Sequence, residues 1–205
     1  MTRTLFAATA GLLLYFAAPQ AVGSFSSGDT GPNGEQPTTD LVKSLRQKNV
    51  GGRDGAGLCV FTSIAHAARY QNEPRLKEFQ TQMRKEPGGG WPEKVDAMIA
   101  KYGKGSAYVQ HTGGDAEFLE AGLKTGRMAW LTYAGFDPNY GMRAGIDPMV
   151  NCIYLDEKTG AILDNNFIEK PLFMSRDELL SRWRARGGGW AGFLLAARPM
   201  PVPKN

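Results

Sequence analysis

Cysteine and histidine are scarce in this 205-residue chain, which has two of each: Cys59, Cys152, His66 and His111. So widely spread, they make no Cys/His cluster of zinc-binding spacing. No G-x-x-x-x-G-K-[ST] phosphate loop occurs either. The glycine-rich stretches GGRDGAG (51–57) and PGGGW (87–91) read as turns, since neither stands between a strand and a helix in a dinucleotide-binding pattern. No metal and no cofactor is therefore expected. Runs of like charge are missing as well. With 24 basic and 20 acidic residues the net charge is +4, mild and scattered, which argues against nucleic acid as a partner. Beyond residue 23 no apolar run approaches the roughly 20 residues of a membrane-spanning helix.

What is present begins at the N-terminus. Arg3 precedes a short apolar stretch, TLFAATAGLLLYFAA, and small residues follow at Ala21 and Gly23. That is the pattern of a secretory signal peptide over residues 1–23, with cleavage after Gly23. A retained signal anchor is the alternative, and the apolar run is short for one. Cleavage removes Arg3 and no acid, so the +4 falls to +3. A secreted or periplasmic location follows, with no membrane attachment afterwards, and there the two cysteines can pair. Residues 24–40 are rich in Gly, Ser and Pro and read as a flexible linker. Residues 199–205 read as a Pro-rich tail, which leaves one domain over 41–198.

Inside that domain the apolar period is first helical. Val60, Phe61, Ile64, Ala67 and Ala68 share a face over 59–70. Residues 74–85 and 92–102 repeat the pattern, each with Pro in its first turn. Asp115 can cap a fourth helix, and Gly126 follows its end. The period then changes. Strands are expected over 127–135 and 149–156, and EKTG (157–160) turns the second into a return strand, AILDNN. Ser175 and Glu178 make a capping box for a fifth helix, and WAGFLLAA (190–197) is a last strand. Helices first and antiparallel strands later describe an α+β domain.

The stretch GAGLC (55–59) leads straight into the first helix. Unpaired N–H groups and a partial positive charge at a helix N-terminus favour a thiolate. Glycines such as Gly57 let a substrate come close to the backbone, and the Cys59 N–H can serve an oxyanion. A cysteine nucleophile also needs a base, usually His, oriented by Asn or Asp.

In these features the chain resembles the papain-like cysteine peptidases, including their bacteriocin-processing, C39-like branch. In that superfamily the nucleophile opens a central helix, a His begins a later strand, and the next strand ends in an Asn or Asp. Cys59 matches the first position, and PMVNCIYLDEKTGAILDNN resembles the strand–turn–strand segment. The resemblance, which runs over about residues 49–197, implies a nucleophile helix packed on an antiparallel sheet. It implies Asp164 or Asn165 as the orienting residue; the exported location suggests a peptide or cell-wall amide as substrate. Where the family has its His, this chain has Pro148, or Met149 with a shift of one residue. The oxyanion Gln is also displaced, and Asn49 or Arg53 stands nearest to its place.

The two histidines can each be tested against Cys59. His66 lies seven residues along the same helix, about 10.5 Å of rise, too far to share a proton. His111 ends SAYVQH, a strand or its exit loop, from which it could approach Cys59 by another side. Three readings follow. The chain is a cysteine hydrolase with an unidentified base, a non-catalytic relative that binds a peptide or protein partner, or a structural domain with a Cys59–Cys152 disulfide. The third is open because Cys152 shares a strand face with position 148.

Overall fold

A computed structural model describes residues 30–37, 39, 41–134 and 148–195. The signal-peptide stretch at 1–23 and the tail at 199–205 lie outside the described residues. In chain order the elements are α1 (Cys59–Tyr70), α2 (Phe79–Met83), α3 (Pro92–Tyr102), β1 (Tyr108–His111), α4 (Ala116–Lys124), β2 (Ala129–Thr132), β3 (Met149–Leu155), β4 (Thr159–Leu163), β5 (Leu172–Ser175), α5 (Arg176–Arg184) and β6 (Ala191–Leu194). Among the described residues six strands form one sheet in the order β1-β6-β2-β3-β4-β5. Every neighbouring pair is antiparallel.

The sheet separates two apolar layers. On one face α1, α2 and α3 pack against Met128, Trp130, Met149, Leu163, Trp190 and Leu194. On the other, α4 and α5 cover Leu131, Val150, Cys152, Ile162, Ala191 and Phe193. Alternation along each strand produces this division, since neighbouring residues point to opposite faces. α1 is buried along most of its length, from Val60 to Ala68, so it is the central helix of its layer.

Local chemistry sets the ends of the elements. Asp115 accepts from the Glu117 N–H to start α4, and Ser175 accepts from the Glu178 N–H to start α5. The helix expected over 74–85 is shorter, because 74–78 forms tight turns closed by Leu76 N–H to Glu73 O and Phe79 N–H to Leu76 O. Strand β5 was not expected. Its four residues run directly into the α5 cap and pair only with β4. Part of the supposed linker is also tied down. Thr39 gives both its N–H and its hydroxyl to Ile153 O, and Glu35 accepts from the Thr159 hydroxyl at 3.0 Å. Composition identified these residues as polar but could not show that β3 and β4 offer them partners.

Candidate active site

Cys59 is the first residue of α1, and no side chain caps that helix start. The end of β4 is brought up against it. Asn165, fully buried, points its Nδ2 at three acceptors: Cys59 O at 2.9 Å, Ser63 Oγ at 2.9 Å and Met149 O at 2.8 Å. Ser63 in turn donates to Met149 O at 3.1 Å. A cysteine, the first residue of β3 and the amide after β4 are thus tied into one cluster. Asn165 Oδ1 has no partner among the described residues.

Of the two candidates for the orienting position, Asn165 is the one that reaches Cys59. Asp164, also buried, turns back on its own loop, where its Oδ1 accepts from the Asn166 N–H at 2.8 Å and Asn166 Nδ2 at 3.0 Å. Its Oδ2 is without a partner among the described residues. Burial pushes the Asp164 carboxyl above the usual carboxylate range.

Strand alternation separates the two residues at the start of β3. Met149 belongs to the α1 face, whereas Val150 and Cys152 belong to the opposite one. Position 149, not 148, therefore looks at Cys59, and it carries a fully buried methionine that takes no part in proton transfer.

Neither histidine substitutes for it. His66 is fully buried. Its Nε2 accepts from the Gln47 N–H at 2.7 Å, and its Nδ1 meets Asn151 Oδ1 at 3.1 Å. Asn151 Nδ2 donates to Ser63 O and Ala129 O, which leaves its Oδ1 to accept. In the neutral ring these partners place the proton on Nδ1, and Nε2 also lies 3.0 Å from Gln47 O. His111, expected as a possible approach to Cys59, is on the far side of the sheet. Its row runs through Ala191 and Leu131 to Val150, all on the α4/α5 face. Three strand spacings separate it from β3, about 14 Å. Its ring packs on Phe118 of α4, centroids 5.2 Å apart.

The disulfide reading fails for the same reason. Both cysteines are free, and Cys152 lies beneath α4 and α5 while Cys59 packs on the α1 side. The even spacing that placed Cys152 on the face of position 148 was correct, but the face that matters is that of 149. Burial holds the Cys152 thiol up at about 12.

The surroundings of Cys59 favour the thiol over the thiolate. Burial raises its pKa, backbone hydrogen bonds at Met149 and Val60 only partly oppose this, and the nearby Asp164 charge raises it further. The helix N-terminus that favours a thiolate is outweighed by desolvation.

Asn49 and Gly57, expected to serve an oxyanion or a substrate, have structural partners. Asn49 Oδ1 accepts from the Leu58 N–H at 2.9 Å, its Nδ2 donates to Asn166 Oδ1 at 3.1 Å, and its N–H donates to Asn165 O at 2.7 Å. It clamps the approach to α1 onto the end of β4. Gly57 O accepts from the Gly89 N–H at 2.8 Å, and a Cβ at 57 would come within 3.2 Å of Asn49 Nδ2.

The sequence did not single out that partner loop, 86–91, as part of the site. Gly88 N–H donates to Asp54 Oδ1 at 2.7 Å and Arg53 N–H to Glu86 O at 2.9 Å. A Cβ on Gly88 would come within 2.0 Å of Ala56 O. The two glycine-rich turns are therefore interlocked beside Cys59. Within the second, the N–H and C=O of Gly90 have no partner among the described residues, and Trp91 next to it is 52% exposed. The other three tryptophans are buried.

Comparison with known proteins fits this geometry. A protein from Bacillus anthracis described as a C39-like peptidase superposes with a TM-score of 0.54 at 13% identity, covering 78% of this chain and 98% of that one. The two chains share a fold. No family model matches the sequence, and no curated protein matches it. Among the described residues no group of three or more His, Cys, Asp or Glu is placed to hold a metal ion.

The Asn165 cluster can be tested directly. Asn165→Ala removes the two amide protons shared among Cys59 O, Ser63 Oγ and Met149 O, each lost donor costing about 1–3 kcal/mol. Chemical denaturation of Asn165→Ala is expected to show a loss of roughly 3 kcal/mol. A change below about 0.5 kcal/mol, typical of a surface site, would contradict the cluster.

Proposed function

We propose that this chain is an exported, peptidase-like domain that binds an extended peptide or a cell-wall amide beside Cys59 without histidine-assisted turnover. The observation that carries the reading is Met149, a side chain without a titratable proton at the position that faces the cysteine. Support for a peptide ligand comes from Gly90, whose N–H and C=O can pair with an extended backbone as a neighbouring strand does. The exposed ring of Trp91 gives an apolar side chain a surface to rest on. Export is supported by the signal-peptide pattern of residues 1–23.

Alkylation by iodoacetamide tests the state of the thiol. Its rate, followed from pH 6 to 10 with Cys59→Ser as the blank, is expected to rise only above the free-thiol pKa of about 8.5. Cys152 is buried and should stay unmodified in the folded protein. A midpoint near pH 6 would mean that Cys59 is activated by a group other than Met149, and the non-catalytic reading would fall.

A further inference from the structure

We propose that Lys94 is the positioning residue of this site: its ammonium gathers the 87–89 carbonyls so that Gly90 presents its backbone pair beside Cys59. This inference rests on the peptide-binding reading above. Lys94 sits in the first turn of α3, and its Nζ donates to Pro87 O at 2.7 Å, Gly88 O at 2.8 Å and Gly89 O at 2.9 Å. All three ammonium protons are thereby used. The same nitrogen lies 5.1 Å from the Trp91 ring centroid and 5.7 Å from that of Phe61 in α1. One charge thus touches the loop, the exposed aromatic beside it and the nucleophile helix.

With three successive carbonyls turned inward to the ammonium, the next residue is the first whose polar groups are left over. Gly90 is also pressed against α1, since a Cβ there would come within 2.6–3.0 Å of Val60. From the other side, Asp54 Oδ1 accepts from the Gly88 and Ala56 N–H groups at 2.7 and 3.1 Å. Lys94 holds the loop by its carbonyls and Asp54 by the Gly88 amide. A neutral side chain at 94 releases carbonyls 87–89 to seek water, and the register of Gly90 against Cys59 goes with them.

The experiment compares two alkylating reagents on Cys59. In both, the thiolate sulfur displaces a halide, so the C–S bond forms as the carbon–halogen bond breaks. One is an N-blocked Ala-Gly chloromethyl ketone, which must lay a backbone along the loop. The other is iodoacetamide, which need not. Wild type is expected to favour the peptidyl reagent relative to the free thiol of glutathione. Lys94→Met should lower the ratio of the two rates at least about tenfold, the scale of a lost alignment. Asp54→Ala should lower it in the same direction, and decides the matter if Lys94→Met does not fold. A merely loosened fold would raise both rates and leave their ratio in place. An unchanged ratio in a folded Lys94→Met variant overturns the role of Lys94 alone. Wild type with no preference for the peptidyl reagent overturns the peptide-binding reading, and this inference with it.

Discussion

Replacing Met149 by histidine is expected to convert Cys59 into an activated thiol. The imidazole would enter at the start of β3 on the α1 face, where Met149 now packs. An acceptor for its N–H is already in place, because Asn165 Oδ1 is buried and without a partner among the described residues. A histidinium beside the sulfur supplies the positive charge that Cys59 lacks, and thiols so paired titrate between roughly 3.5 and 7.5. The alkylation profile of Met149→His should therefore move below the free-thiol value of about 8.5 by at least one pH unit. Hydrolysis of a peptide amide, if it appears, should depend on both Cys59 and the new histidine, since general-base assistance contributes about 10²–10⁴-fold. Burying an imidazole at a packed position carries a stability cost of about 1–3 kcal/mol, which denaturation would register. A folded Met149→His protein with the wild-type alkylation profile would show that position 149 does not face the thiol closely enough to act as its partner.

The same variant makes Asn165 testable as an orienting residue. In wild type its Nδ2 holds Cys59 O, Ser63 Oγ and Met149 O together, which is a packing role. In the Met149→His background its Oδ1 gains a second one. Asn165→Ala should then undo part of the shift in the thiol profile, beyond its effect on stability. Residues in direct contact depart from additivity in this way.

Much of this was legible in the sequence where a local rule applied. The stripe of Val60, Phe61 and Ile64 predicted α1, Asp115 and Ser175 predicted two helix starts, and EKTG predicted the β3–β4 hairpin. Each of these needs only neighbours within a few residues. Strand β5 escaped because it is four residues long at an edge, where a single partner decides its pairing. The choice between Pro148 and Met149 hung on a one-residue register, and only the layer to which Val150 and Cys152 belong resolves it. That one step also closed the disulfide reading. Lys94 and Gly90 could not be found from spacing, since their meaning lies in carbonyls folded around an ammonium. The burial of His66 depends on Asn151, 85 positions away in the chain. Nothing in the local pattern IAHAARY (64–70) separates a histidine with a core partner from one at a surface.

That buried histidine carries the second large effect, a loss of stability in mild acid. Burial holds the His66 pKa down at about 4, and the charges of Arg69 and Arg46 add to the effect, against hydrogen bonds to Asn151 Oδ1 and Gln47 O that favour the proton. In the unfolded chain the value returns to about 6.5. Between these two pH values the unfolded chain binds a proton that the folded one refuses. Stability is therefore full above about pH 6.5, falls as the pH drops, and levels off below about 4. The drop of about 2.5 pH units corresponds to roughly 3 kcal/mol. Asp164 acts in the opposite sense, because its raised pKa favours the folded state in acid and loses that contribution as the pH rises. His66→Gln keeps an acceptor for the Gln47 N–H and removes the titration, while leaving Asp164 in place. Denaturation midpoints of wild type and His66→Gln, taken from pH 7.5 to 4, should diverge in slope across that window, the variant losing less; carboxylates held below their usual range, such as Glu73, Glu86 and Asp156, weaken both proteins alike near pH 4. Parallel curves would mean that His66 titrates normally in the folded protein. The strap it holds at Gln47 continues to Asn49, which clamps Leu58 and Asn165 beside Cys59. His66 Nε2 also lies 3.0 Å from Gln47 O, so the titration of His66 acts on the segment that positions the site.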